Sequence, residues 1–97
     1  MIDVILRPAA AADTNDAYRW YEGQRKGLGH DFLAEVSLAL DLIASHPLAF
    51  PVIRRHTRRA LLRRFPYQIL YRAYSETVIV VAVFHASREP RACQRRT

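Results

Sequence analysis

Six arginines stand as three adjacent pairs, Arg54-Arg55, Arg58-Arg59 and Arg63-Arg64, close together in the middle of the chain. An arginine offers a planar fork of donors that grips phosphate or carboxylate at two points, where lysine acts as a mobile point charge. The chemistry on offer is therefore anion recognition. Proton transfer needs other groups, because a guanidinium stays charged. The residues that could move a proton beside these arginines are His85 and the tyrosines Tyr67, Tyr71 and Tyr74. His30, His46, His56 and His85 lack metal-ligand spacing, and Cys93 is the single cysteine, so no zinc site is supported. No glycine-rich phosphate loop, Ser-His-Asp pattern or carboxylate pair is present. Neither a metal nor a cofactor is expected.

The charge is unevenly distributed. Residues 1–53 hold four basic and seven acidic side chains, a net of −3, whereas residues 54–97 hold eleven basic and two acidic, a net of +9. Glu76 and Glu89 are the two acids of the basic half, and Lys26 is the lone lysine of the chain. A formal charge of +6 favours a polyanion or an acidic partner. Ninety-seven residues make one domain, spanning 1–97, with a single modest core. The longest apolar run, Val78 to Phe84, is far too short to span a bilayer. Asp3 and the polar segment behind it do not read as a signal peptide. A lone cysteine fits a reducing compartment, so a cytoplasmic protein with no membrane association is expected.

The elements that must position these residues follow from periodicity. Ile2–Leu6 is a short apolar run with β-branched members, an expected first strand. Arg7-Pro8 ends it, and Pro8 suits the first turn of a helix, where its missing N–H costs nothing. From there to about Arg25, Ala17, Trp20, Tyr21 and Gln24 share helical spacing, leaving Asp13, Asp16, Arg19 and Glu22 outside. Gly27-Leu28-Gly29 separates this helix from a second, expected from about His30 to Ser45. Its stripe is Phe32, Val36, Leu40 and Ile43, widened by Leu33, Ala39 and Leu42. Asp31 complements the dipole of its first turn, and Pro47 stops it.

A proline-containing loop through Pro51 leads to three expected strands, Thr57–Phe65, Tyr67–Tyr74 and Val78–His85. Ser75-Glu76-Thr77 joins the last two as a hairpin. On the middle strand Tyr67, Ile69, Tyr71 and Ala73 share one face, and Gln68, Leu70, Arg72 and Tyr74 the other. Aromatic residues among arginines can stack bases, but Tyr67 and Tyr71 read better as core beneath the helices. Val78–Phe84 is apolar on both faces, which places it centrally. Each arginine pair on a strand sends one member to each face. Those on the helix side must extend their stems or pair with acids such as Glu35 or Asp41. The expected architecture is α+β: an N-terminal strand, an α-helical hairpin and a three-stranded antiparallel sheet.

In this order the residues resemble the RelE/ParE toxins of bacterial type II toxin–antitoxin pairs, over nearly the whole chain. Ala17-Tyr18-Arg19-Trp20-Tyr21 followed by Gly27-Leu28-Gly29 is similar to the first helix and the break after it. Phe32-Leu33 with Ile43-Ala44-Ser45-His46-Pro47 resembles the second helix and its stop. The most specific part runs Arg58-Arg59-Ala60-Leu61-Leu62-Arg63-Arg64-Phe65-Pro66-Tyr67, then Ile69, Tyr71-Arg72, Val81–His85 and Arg88-Glu89-Pro90. The resemblance implies a growth-inhibiting toxin, silenced by a cognate antitoxin with an acidic, partly helical segment, in a hetero-oligomer. It also implies one of two targets: DNA gyrase for the ParE branch, or messenger RNA on the ribosome for the RelE branch.

A ribonuclease-type site of this family surrounds the scissile phosphate with basic residues of the second and third strands, a C-terminal arginine and a C-terminal tyrosine or histidine. Arg59 and Arg88 match two of those places, with His85 available for proton transfer. Leu61 and Gln68 stand where further basic groups belong, and the tail near Gln94 lacks the proton donor. Cys93 departs from the tryptophan often found there. The resemblance therefore favours gyrase inhibition by binding. Arg58, Arg59, Arg63, Arg64, Arg72, Arg88, Arg91 and Arg95 are the candidate contacts to target or antitoxin. The alternatives are a metal-independent endoribonuclease and a non-toxin nucleic-acid-binding module.

Overall fold

The computed structural model describes residues 2–87. The order is β1 (Asp3–Leu6), α1 (Pro8–Gln24), α2 (Leu28–Ser45), β2 (Val52–Arg54), β3 (Thr57–Leu61), β4 (Tyr67–Ala73) and β5 (Thr77–His85). The strands form one sheet in the order β1-β5-β4-β3-β2. β1 lies parallel to β5, while the β5–β4, β4–β3 and β3–β2 pairs are antiparallel. The expected α+β architecture is present, with two additions. β1 joins the sheet beside β5, and a three-residue edge strand, β2, precedes the three expected strands. Arg55, in the tight turn between β2 and β3, adopts φ 49, the left-handed conformation that such turns demand.

Both helices cover one face of the sheet. Ala10, Ala17 and Tyr21 of α1 and Phe32, Val36 and Ile43 of α2 are buried against Ala60, Ile69, Tyr71, Val78, Val80 and Val83. Tyr21, Phe32, Phe65 and Tyr67 form an aromatic knot at the centre of this layer, with Tyr21 and Phe65 4.8 Å apart at their ring centroids. Tyr67 and Tyr71 thus serve the core. The Tyr71 hydroxyl donates to the Pro47 carbonyl at 2.7 Å, tying the end of α2 to the sheet, and burial pushes its pKa up.

Three helical expectations are corrected. Trp20 is 60% exposed, since the helix packs through Ala10, Ala17 and Tyr21 instead. Asp13 and Glu22, expected outside, turn inward to bind backbone N–H groups. Leu33 and Leu42 do not widen the buried stripe of α2; they are 37% and 56% exposed.

The helical hairpin closes through Glu22. α2 has no side-chain cap at Gly27, whose φ of 90 suits glycine, so its first amides need another acceptor. The Gly27 and Gly29 N–H groups donate to the Glu22 carboxylate at 3.0 and 2.9 Å. Those bonds, Gly27 foremost, with His30 nearby, hold the Glu22 carboxyl below its ordinary pKa. The two helices touch closely here. A Cβ on Gly29 would lie 2.7 Å from both the Tyr18 carbonyl oxygen and its ring. Backbone on the other side has no room to yield, so Gly29→Ala should destabilise the fold by about 1–3 kcal/mol, against a gain in helix propensity of about 1. Gly23 has open space around it within α1, so Gly23→Ala should instead raise the melting temperature slightly. Thermal melts of the two variants should move in opposite directions.

Candidate functional site

β4 sorts the sequence-predicted arginines, because its neighbours alternate between faces. Arg58 pairs with Tyr71 and Ala60 with Ile69, on the helix-covered side. Arg59 pairs with Leu70, Thr57 with Arg72 and Leu61 with Gln68, on the side away from the helices. The pair Arg58-Arg59 therefore divides between faces as expected. Arg59 and Arg72 come together on the helix-free face, flanking a buried cluster of Leu70, Val81, Ala82 and Phe84. Thr57, fully buried opposite Arg72, leaves its Oγ1 without a hydrogen-bond partner, as Arg59 does its Nε.

The other arginines have different duties. Arg58 Nη1 donates to the Leu48 and Phe50 carbonyls at 3.1 and 2.7 Å, so it clamps the loop behind α2. Arg63 and Arg64 lie in the turn after β3, which ends at Leu61 and not at Phe65. That turn is built on Glu35 of α2. The Arg63 and Arg64 N–H groups donate to Glu35 Oε1 at 2.8 and 3.0 Å, and Arg64 Nε lies 3.5 Å from Oε2. The expected acid partner was Glu35 or Asp41, and Glu35 fills the role. Arg63 projects outward, while the Arg64 guanidinium is engaged by the same carboxylate and lies over the Phe65 ring. Arg88, Arg91 and Arg95 lie outside the described residues.

His85 falls on the other side from Arg59. β4 and β5 carry a bulge: Leu70 pairs with Ala82 and Tyr71 with Val80, leaving Val81 as the extra residue. The bulge lets Val80 and Val83 both reach the helix-side core and carries His85 to that side, opposite Tyr67. The His85 and Tyr67 rings meet edge to face at 5.4 Å. His85 Nδ1 accepts the Ser87 N–H at 3.1 Å, with the Ser87 Oγ 2.7 Å away, so the neutral ring carries its proton on Nε2. A shallow cavity of about 380 Å³ lies here, lined among others by Asp13, Asp16, Trp20, Tyr67 and His85. Asp13 holds its wall by accepting the Val83 N–H at 3.1 Å. The structure thus gathers Arg59 with Arg72 and sets His85 apart from both. Among the described residues, no cluster of His, Cys, Asp and Glu could hold a metal ion, and no helix is long and apolar enough to cross a membrane.

Sequence reasoning missed Glu22, Asp13 and the bulge at Val81. Glu22 had a faint signal, a carboxylate five and seven residues before two glycines at a helix start. Asp13 had none, because its partner Val83 is remote in sequence.

Comparison with known proteins points one way. A family described as "ParE toxin of type II toxin-antitoxin system, parDE" matches residues 4–90. A solved structure titled "Chromosomal ParDE TA system from P. aeruginosa" superposes with a TM-score of 0.65 at 16% identity, covering 88% of this chain and 96% of that one. A second, the RelBE2 toxin–antitoxin complex from Mycobacterium tuberculosis, gives 0.62 at 23% identity, covering 87% and 96%. No curated protein matches the sequence.

The Glu35 staple makes a pH prediction. The Arg64 and Arg63 amides, together with the Arg64 charge, hold the Glu35 carboxyl below its ordinary pKa. A depressed folded pKa gives stability that is full above the ordinary glutamate range and is lost as pH falls through the folded value. Glu35→Gln should therefore lower the melting temperature at neutral pH and shrink its fall on acidification. An acid limb as steep as in the unaltered protein would remove Glu35 as a source.

Proposed function

The chain belongs to the ParE toxin family of type II toxin–antitoxin systems, and from that premise we propose that it arrests growth by binding and inhibiting DNA gyrase, until a cognate antitoxin neutralises it. The observation that carries this reading is the composition of the helix-free face. Arg59 and Arg72 share it with Thr57, Leu61 and Gln68, no histidine or carboxylate of β3 or β4 joins them, and the nearest tyrosine, Tyr74, is exposed just beyond the end of β4. Such a face can grip an anionic surface in two places, and among the described residues its strands β3 and β4 carry no histidine or carboxylate to protonate a leaving oxygen. His85, the one histidine in a strand among the described residues, faces the helix side.

The antitoxin partner is supported by family membership and by the basic half of the chain, which would steer an acidic segment towards it. Both similar solved structures are themselves toxin–antitoxin assemblies. The toxin acts in the cytoplasm, where gyrase and chromosome lie.

Two assays test this reading together. Purified toxin should block supercoiling by gyrase, and the Arg59→Ala/Arg72→Ala double variant should be weaker by about tenfold or more, since such arginines are typical hot-spot residues. His85→Ala should inhibit as well as the unaltered protein. In cells, induction should raise DNA-damage signalling and stall replication. Rapid loss of translation with cut messages and intact chromosomes, abolished by His85→Ala, would replace this reading with a ribosome-dependent endonuclease.

A further inference from the structure

Trp20 is the one tryptophan of the chain, and it is 60% exposed on a helix whose contact with the sheet is already filled by Ala17 and Tyr21. Its indole meets the Tyr21 ring edge to face at 5.1 Å, and it lines the cavity of about 380 Å³ between α1 and the end of β5. Tyr67 lines the same cavity. Two aromatic rings therefore wall a concavity that solvent reaches. Tryptophan at such a position is the residue type that most often anchors a protein partner.

The charge of this cavity runs against the rest of the molecule. On a chain of net charge +6, Asp13 and Asp16 line it, and among the described residues no arginine or lysine does. Asp13 is committed to the Val83 N–H. Asp16 is exposed, and among the described residues its carboxylate has neither an ion pair nor a hydrogen bond. The helix dipole does not call for it, since Asp16 lies in the middle of α1, well beyond the first turn. Asp13, Asp16 and Trp20 recur at helical spacing and so share one face. An uncommitted carboxylate beside aromatic rings is the chemistry that holds a guanidinium or an ammonium group: the acid supplies the counter-charge, and the rings supply their negative faces. Phosphate, or an acidic segment, would be repelled.

We infer that the cavity between α1 and the end of β5 seats an arginine or lysine side chain of the target enzyme, held by Asp16 and Trp20. The inference rests on the gyrase reading above, and the complementary chemistry follows from it, because an enzyme that holds DNA presents basic side chains where it neutralises phosphates. The cavity is continuous with the Arg59–Arg72 face. Tyr67 lines the cavity while its neighbour Gln68 turns to the other side, so a partner that wraps the start of β4 meets both. The toxin then offers its target both signs of charge, which selects one surface over polyanions in general. Neither assigned contact is His85, so alanine at that position leaves them in place.

The test measures binding of the full-length toxin to purified gyrase and its inhibition of supercoiling. Trp20→Leu, which keeps apolar bulk and loses the aromatic face, should weaken both by about tenfold, whereas Trp20→Phe should stay within about threefold. Asp16→Lys should weaken both by about 100-fold, because it sets like charges against each other. Glu76→Lys makes the same change in net charge at the opposite end of β5 and should weaken neither. Should either cavity variant melt below the unaltered protein, Asp16→Asn takes its place, with an expected weakening of about fivefold. Undiminished inhibition by Asp16→Lys, or by Trp20→Leu, overturns the assignment. So does loss of antitoxin binding with gyrase inhibition intact, which would make the antitoxin the occupant, and so does self-association of the toxin that Asp16→Lys abolishes, which would make it a second copy. An unaltered toxin that leaves gyrase untouched overturns instead the reading on which the inference rests.

Discussion

Everything in this fold leans on β5 being buried on both faces. Val78, Val80 and Val83 pack under the helices, while Val81, Ala82 and Phe84 join the cluster on the other side. A strand so enclosed must find partners for every backbone group, since a buried orphan costs about 1–3 kcal/mol. β4 supplies one edge along its length, and β1 supplies the other only as far as Val80. Beyond that point α1 takes over: Asp13 accepts the Val83 N–H in place of a strand carbonyl. The position of α1 over the sheet is thus fixed by a hydrogen-bond requirement as well as by apolar burial. The bulge at Val81 meets the same constraint, adding one residue so that Val80 and Val83 can both fill the helix-side core.

The arginines show how little a count of charges says about use. Arg58 spends its donors on two carbonyls of the loop behind α2, and Arg64 shares Glu35 with two backbone amides. Both brace local structure, Arg64 from an exposed position. Arg59 and Arg72 gather on one face because they sit on adjacent strands with the same phase, although thirteen positions separate them in sequence. The rule that neighbours on a strand face opposite ways separated Arg58 from Arg59 correctly. It did not apply to Arg63-Arg64, which belong to a turn whose shape is set by a carboxylate on α2.

Legibility followed the range of the interaction. The helices, their glycine break and the three principal strands were readable because periodicity and turn chemistry are local. The core role of Tyr67 and Tyr71 was readable for the same reason. β2 was not, since three exposed residues carry no pattern. The bulge was invisible because a run that is apolar on both sides does not encode its phase, so His85 could not be assigned to a face. Trp20 misled because helical spacing identifies a face without saying how far the core extends across it; Ala17 and Tyr21 fill the contact and leave the indole outside. Arg88, Arg91 and Arg95, also named from sequence, lie outside the described residues. Of the site, the arginine content was legible and the separation of Arg59 from His85 was not.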